Sequence, residues 1–412
     1  MNSVNILSEF NLILIRYSDE IWLKSDKVKI RMIKLLMNNI KRILEANKLP
    51  YHKYQMTKDS ARILYFLDNK NLERAIEIFK KIFGIYSFSP ALRTSDKIEH
   101  ITKRVLEIAD QILEKNDTFA LRVTRSGTHE FTSQDIAIKV GQAINDKFKY
   151  LNISVDLTSP DKVIFIEVRN QFTYIFLDVI KSDWHGLPTE PYKKVVIHDI
   201  GRLEDILAGF LLMRRGCEIY PILFSNSGSE QSFKNRLKNW RYLLNYTPRK
   251  KLKIIKINLS KVLDELLASK IDHKYLCAIC RLLRFESIAE ILKNSEEKNL
   301  KKVKAISDGT ALNQASLCYD EVDLASLALN YLFSNYPTFT PLIGLDLNEI
   351  KQDLNKISLN FENINYCKFK PKSQTFDLEK VKKLYNSLNK ESLLKGIISN
   401  LENIILKNLR NS

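Results

Sequence analysis

Cysteine is scarce in this chain, five residues in 412, and the number is odd. A disulfide framework needs paired cysteines and belongs to small secreted domains, so that class is not expected here. Long apolar runs are missing too. No stretch approaches the roughly 20 uninterrupted apolar residues of a membrane span, because Lys, Arg or Asn breaks each run. Met1 to Phe10 has no basic region followed by an apolar core, which argues against secretion. Internal repeats and low-complexity blocks are absent as well. Together these absences predict a cytoplasmic protein with no membrane partner. What remains is an ordinary globular composition, 45% apolar and 27% charged, in a chain long enough for two or three cores.

Acidic residues are outnumbered, 48 against 65 Lys and Arg, for a net charge of +17. An excess of that size favours a polyanionic partner, because Lys and Arg release condensed counterions from phosphates. Compositional drift is the alternative, since Lys, Asn and Ile are all abundant. Two of the five cysteines stand together in Cys277-Ala278-Ile279-Cys280. Thiols at that spacing reach one metal ion, one iron–sulfur cluster or each other. An incidental pair of half-buried thiols is the bland alternative. Cys367, ahead of Lys368-Phe369-Lys370-Pro371-Lys372, is the best third ligand, and Cys318 is a candidate fourth that would shift the balance towards zinc. Cys217 follows Arg215-Gly216 at a strand entry and is expected to be buried and inert.

The patterning changes along the chain. Strand Leu12–Arg16, a basic amphipathic helix over Val28–Asn47, strand Ala61–Phe66 and helix Leu72–Phe83 form an α+β unit that ends at Ser89-Pro90. Helix Lys97–Glu114, strand Thr118–Thr124, helix Ser133–Phe148, strand Ile153–Leu157 and the pair Lys162–Arg169 and Thr173–Ile180 follow, and predict a mixed sheet flanked by helices. Asp183 to Pro191 is turn-rich and reads as a linker. Beyond it, continuously apolar strands (Val195–Asp199, Glu218–Phe224, Leu252–Leu259, Lys302–Ser307) alternate with helices (Asp205–Arg215, Gln231–Leu244, Ser260–Ala268, Leu276–Leu292). That alternation predicts a parallel sheet covered on both faces, with ligands at the carboxyl ends of its strands. From Asp377 onward, Leu378, Val381, Leu384, Tyr385 and Leu388, then Leu393, Leu394, Ile397 and Ile398, follow helical spacing. Trp22, Trp184 and Trp240 are expected to be packing anchors, and His198 and Asp199 to have an ordinary loop role at a strand end.

Several segments, taken in order, carry a resemblance. They are Phe83-Gly84-Ile85-Tyr86-Ser87-Phe88-Ser89-Pro90-Ala91, then the basic stretch Arg122-Val123-Thr124-Arg125-Ser126-Gly127-Thr128-His129-Glu130-Phe131-Thr132-Ser133. Val155-Asp156-Leu157, Ile166-Glu167-Val168-Arg169, Leu212-Met213-Arg214-Arg215-Gly216 and Pro341-Leu342-Ile343-Gly344-Leu345-Asp346 continue it. In order and spacing these segments, covering roughly residues 10–372, resemble the tRNA 4-thiouridine synthase (tRNA sulfurtransferase) family. The resemblance implies a ferredoxin-like domain (1–75), a THUMP RNA-binding domain (76–182), a linker (183–191), a Rossmann-like PP-loop domain (192–372) and a helical C-terminal extension (373–412).

It also implies a function: ATP- and Mg²⁺-dependent adenylylation of a tRNA uridine, then replacement of O4 by sulfur from sulfide or a persulfide carrier. On this reading Arg122, Arg125, His129 and Lys139 contact tRNA, and Gly201, Arg202, Phe224, Gly309 and Gln314 line the nucleotide site. Cys277, Cys280 and Cys367 match an arrangement associated in archaeal relatives with an iron–sulfur cluster; they hold a 4Fe-4S cluster, or Zn²⁺, or carry the sulfur. A homodimer is open. The chain departs from the family at Ile200-Gly201-Arg202-Leu203-Glu204-Asp205, where relatives have Ser-Gly-Gly-x-Asp-Ser. Family glycines there cradle phosphates with backbone N–H groups; here one glycine remains, and Glu204 and Asp205 bring negative charge. Ser307-Asp308-Gly309-Thr310-Ala311-Leu312-Asn313-Gln314-Ala315-Ser316 is similarly altered. The alternative is a catalytically degenerate tRNA-binding protein or partner subunit with a structural metal.

Overall fold

The computed structural model describes residues 9–226, 229–269, 271–312, 327–332, 334–362, 367–372, 374 and 377–407. The chain divides into two compact units, Met1–Pro188 and Thr189–Ser412. No helix among the described residues is long and apolar enough to cross a membrane.

The first unit is built on strands β1 (Leu12–Tyr17), β2 (Lys53–Met56), β3 (Ile63–Phe66), β4 (Ile85–Ser95), β5 (Thr118–Ser126), β6 (Ser154–Val155), β7 (Lys162–Arg169), β8 (Phe172–Phe176) and β9 (Ile180–Lys181). They run in the order β2-β3-β1-β4-β8-β7-β5-β6, with β9 alongside β4. Pairing is antiparallel except where β5 lies parallel to β6 and β7. Alternation sorts each strand's side chains between two faces. Ile13, Ile15, Ile164, Ile166 and Ile175 share a core with helices Asp26–Ala46, Ile98–Ile112 and Ser133–Lys147, whose apolar residues recur at helical spacing, as in Ile136, Val140 and Ile144. Leu12, Leu14, Phe66, Tyr174 and Phe176 form a separate cluster on the other face.

Two strands here escape the sequence pattern. β2 is short and half-exposed. β4 runs straight through Pro90, the residue expected to end the first unit. Proline lacks the ladder N–H, yet β9 pairs up to Phe88 and β8 begins at Leu92, so one edge of β4 carries no ladder around Pro90. Trp22 is 50% exposed, so it is not the packing anchor expected.

The second unit contains β10 (Lys194–Asp199), β11 (Glu218–Ser225), β12 (Lys251–Asn258), β13 (Ala305–Ser307), β14 (Thr338–Phe339) and β15 (Glu402–Lys407), in the order β14-β13-β10-β11-β12-β15. All ladders are parallel except β12 with β15. The chain leaves β10 towards β11 and β12, then crosses back to lay β13 on the other side of β10. The strand order therefore reverses beside β10, where such sheets open a crevice at their carboxyl ends. Every residue of β10 is buried, which explains the apolar run Val195-Val196-Ile197 at its centre.

Helix Leu276–Asn294 is buried on nearly all sides and meets the tail helices Leu378–Ser387 and Lys390–Ile398. The tail is helical as its spacing predicts, with Val381, Tyr385, Leu393 and Ile397 in the core. It then adds β15, an antiparallel edge strand that the helical reading did not include.

Candidate functional site

The reversal beside β10 brings two loops together. One follows β10 and leads into helix Leu203–Arg214; the other follows β13. At the end of β10 the Asp199 carboxylate accepts hydrogen bonds from Gly201 N (2.5 Å), Arg236 Nη2 (2.6 Å) and Trp240 Nε1 (2.5 Å). Gly201 has φ +100°, a left-handed conformation that favours glycine and turns its N–H back onto Asp199. The Asp205 carboxylate accepts from Ile200 N (3.0 Å), Arg202 N (3.3 Å), Arg202 Nε (3.1 Å), Arg202 Nη2 (2.5 Å) and, from the second loop, Gly309 N (3.0 Å). Thr310 N donates to Asp308 Oδ1 at 3.0 Å.

Gly309 is fitted tightly. A Cβ there would lie 2.3 Å from Glu204 C and 2.4 Å from Asp205 N, both backbone atoms. Asp199, Arg202, Asp205 and Asp308 are all buried. Burial pushes the Asp205 carboxyl up, with Arg202 and the Ile200 N–H opposing. Burial likewise raises the Asp308 carboxyl, but Arg281 and Arg202 overcome it and hold the group below its ordinary value.

Helix Leu276–Asn294 supplies the remaining parts. Arg281 donates to Asp308 Oδ2 (2.7 Å) and Asn330 Oδ1 (2.7 Å). Arg284 donates to His198 Nε2 (2.9 Å) and to Cys280 Sγ (2.7 Å). One guanidinium thus joins a thiol to the strand that borders the crevice.

His198 is wholly buried, and burial, reinforced by Arg284, Arg281, Arg202 and Arg236, holds its imidazole well below the ordinary value. The folded residue stays neutral where an unfolded one would take a proton. Its contribution to stability is therefore complete above the unfolded value of about 6.5 and is lost as pH falls, at about 1.4 kcal/mol per pH unit. We expect unfolding free energy between pH 6.5 and 5 to fall more steeply for the wild type than for His198→Asn, by about one proton's worth of slope. Parallel slopes in chemical denaturation at several pH values would contradict this.

The residues singled out in the sequence are distributed as follows. Gly201, Arg202 and Gly309 meet around Asp205. Phe224 is 1% exposed and packs in the core, its ring centroid 5.5 Å from that of His198. Gln314 and Cys318 lie outside the described residues. Cys277 and Cys280 lie in the first two turns of helix Leu276–Asn294 and are buried, whereas Cys367 is half-buried. Each sulfur accepts from a different partner: Cys277 from Gln374 (3.4 Å), Cys280 from Arg284 and Cys367 from Asn226 (3.5 Å). No group of three His, Cys, Asp or Glu side chains suited to a metal ion forms among the described residues. Cys217 is half-buried rather than buried as expected, and burial pushes its thiol up.

On the first unit, Arg122 and Arg125 project from opposite faces of β5. Arg122 donates to Leu157 O (2.6 Å), and Arg125 meets Gly127 O (3.0 Å) and His129 Nδ1 (3.2 Å). Lys139 is exposed on helix Ser133–Lys147, behind a Thr132–Asp135 capping box.

Sequence reasoning missed a second basic group. Arg16, Arg62 and Arg169 converge on the buried Glu167, with Asp59 paired to Arg169. Arg16, Tyr17, Asp59, Arg62, Ser126 and Arg169 line a cavity of about 530 Å³. Burial raises the Glu167 carboxyl, but the three arginines bring it below its ordinary value; Arg16 is lowered to about 10, chiefly by burial. Its only early signal was Glu167 and Arg169 alternating on one strand. Trp240 is fully buried, the packing anchor expected, and it also holds Asp199, which with His198 is more than the ordinary loop pair expected.

Comparison with known proteins agrees with this architecture. Family models described as ThiI ferredoxin-like domain, THUMP domain and thiamine biosynthesis protein (ThiI) match residues 12–89, 95–178 and 196–390. A protein named "Probable tRNA sulfurtransferase" from Saccharolobus solfataricus is 30% identical over 383 residues, 92% of this chain and 96% of the relative. One of the same name from Methanosarcina acetivorans is 28% identical over 344 residues, 82% of this chain and 79% of the relative. A crystal structure described as a 4-thiouridine synthetase–RNA complex with bound ATP superposes with a TM-score of 0.79 at 23% identity, covering 97% of this chain and 100% of that one. The expected fold is therefore the observed one: ferredoxin-like and THUMP parts, then a Rossmann-like PP-loop sheet with a helical C-terminal extension. The chain belongs to the ThiI family of tRNA sulfurtransferases.

Proposed function

We propose that this chain is a cytoplasmic sulfurtransferase that converts a tRNA uridine to 4-thiouridine. The observation that carries the reading is Arg284, which ties the Cys280 sulfur (2.7 Å) to His198 (2.9 Å) at the carboxyl end of β10. A thiol beside the crevice of a nucleotide-type sheet is what sulfur delivery to an activated base requires.

Chemically, the uridine O4 attacks the α-phosphate of ATP and pyrophosphate leaves; Mg²⁺, when bound, would supply charge neutralisation for the leaving group. Sulfur then attacks C4, and AMP departs with the former O4. The donor is sulfide, or a persulfide carried on Cys280; in the second case a neighbouring thiol such as Cys277 attacks the carrier sulfur, forming a disulfide and releasing the thiolated base. Arg284 places positive charge beside a sulfur that must hold negative charge. No step is routed through an iron–sulfur cluster or zinc.

For RNA, Arg122, Arg125 and Lys139 are exposed cations of the THUMP part. They fit backbone and shape recognition, since A-form RNA presents phosphates and 2′-hydroxyls rather than readable major-groove edges.

The test is direct: anaerobically purified protein, unmodified tRNA, Mg²⁺–ATP and sulfide or a persulfide carrier are incubated, and the nucleosides are analysed by mass spectrometry. We expect 4-thiouridine that depends on ATP. Tight tRNA binding without any thiolated nucleoside would leave a tRNA-binding relative instead.

A further inference from the structure

In a nucleotide-binding loop of this kind, backbone N–H groups and the start of a helix are free to receive phosphate oxygens. Here those donors are already taken. Ile200 N, Arg202 N and Gly309 N, from two loops 104 residues apart in sequence, all point at one carboxylate, and the Arg202 guanidinium closes on it from the side. An ordinary helix cap accounts for the Arg202 N–H alone, as an acid three residues into a helix commonly reaches back to the capping residue. It does not account for Ile200, which precedes the cap, or for Gly309, which belongs to another strand's loop. A buried hydroxyl at the start of the second loop, Ser307 Oγ, has no hydrogen-bond partner among the described residues. The second loop is also pressed so closely against Glu204 and Asp205 that it has no room for a Cβ.

We propose that the Asp205 carboxylate is an internal occupant of the phosphate loop, placed where a nucleotide phosphate would sit and competing with ATP for the same N–H donors and for Arg202. Taking ATP as the competing ligand rests on the function proposed above. A phosphate entering this loop must displace Asp205 or lie against it, and like charges brought together oppose binding. Asp205 thereby sets the nucleotide affinity of the chain, holding the loop closed until the carboxylate swings away.

The experiment is isothermal titration of the full-length protein with Mg²⁺–ATP, and separately with inorganic pyrophosphate, for the wild type and Asp205→Ser. Serine removes the charge and leaves the backbone donors and Arg202 for the ligand. We expect ATP to bind Asp205→Ser at least about 10-fold more tightly than the wild type, and saturating ATP to raise the thermal midpoint of the variant more than that of the wild type. If Arg202, left without its carboxylate in the interior, prevents Asp205→Ser from folding, the double variant Arg202→Ser, Asp205→Ser removes both charges and keeps the three N–H groups. It is also expected to bind more tightly than the wild type. Wild-type affinity equal to or above that of the folded variants overturns the proposal. The readout is binding rather than thiolation, so its failure and that of the sulfur-transfer reading are separately visible.

Discussion

Gly309→Ala is expected to destabilise the second unit by about 3 kcal/mol or more, the upper end of what overpacking costs. The new Cβ would lie 2.3, 2.4 and 2.5 Å from Glu204 C, Asp205 N and Glu204 O. These are main-chain atoms at the start of a buried helix, so no side-chain rotation relieves the clash. The loop after β13 must lift from helix Leu203–Arg214, and lifting it breaks the Gly309 N–H bond to Asp205. It also strains the loop that carries the Asp308–Arg281 pair, whose charges are 0% and 1% exposed. A parted buried pair leaves charge without compensation, which is where the larger penalties arise. Gly344→Ala is the control, since nothing lies within 4 Å of a Cβ built there, and it should change stability by no more than about 0.5 kcal/mol. In thermal unfolding the first variant should lose roughly 10 °C. Equal midpoints for the two variants would show that the loops are not packed as described.

The parallel sheet was legible because its strands are buried on both faces and so need continuous apolar runs, as in Val195-Val196-Ile197. Helix Leu276–Asn294 was legible in extent but not in chemistry. Arg281 and Arg284 look like solvent-facing residues in a sequence, and only the fold supplies Asp308 and His198 as partners. β4 was hidden by Pro90, which local rules read as a stop and which the gap between β9 and β8 makes harmless. β15 was hidden because Asn403 to Lys407 follows two helical segments without a strong turn signal; its pairing with β12, about 150 residues earlier, is not a local property. The same limit applies to the site. The spacing of Cys277 and Cys280 was visible, and so was the loss of glycine and gain of acid at Ile200 to Asp205. That the acid itself fills the loop depends on Gly309 arriving from another strand. Likewise Arg16, Arg62 and Arg169 come from three strands or their approaches and are joined only through Glu167.

Cys280→Ser should reduce 4-thiouridine formation from a persulfide donor at least roughly 1000-fold while leaving the fold intact. The substitution is nearly isosteric, and the serine oxygen can still accept the Arg284 N–H that now meets Cys280 Sγ, so the His198–Arg284 connection is kept. What is lost is the atom that carries sulfur: an alcohol forms no persulfide. Cys217→Ser is the matched control, because burial holds the Cys217 thiol up and away from reactivity, and it should thiolate at the wild-type rate. Running both donors separates two routes. If Cys280→Ser fails with a persulfide carrier but works with free sulfide, Cys280 is the carrier and sulfide attacks the activated base without it. If the variant fails with both and the purified wild type contains iron, the thiols gather around a cluster in the working enzyme, and the separate partners Gln374, Arg284 and Asn226 must first release them. A variant with unchanged thiolation from either donor would remove Cys280 from the chemistry and leave its bond to Arg284 a structural contact of helix Leu276–Asn294.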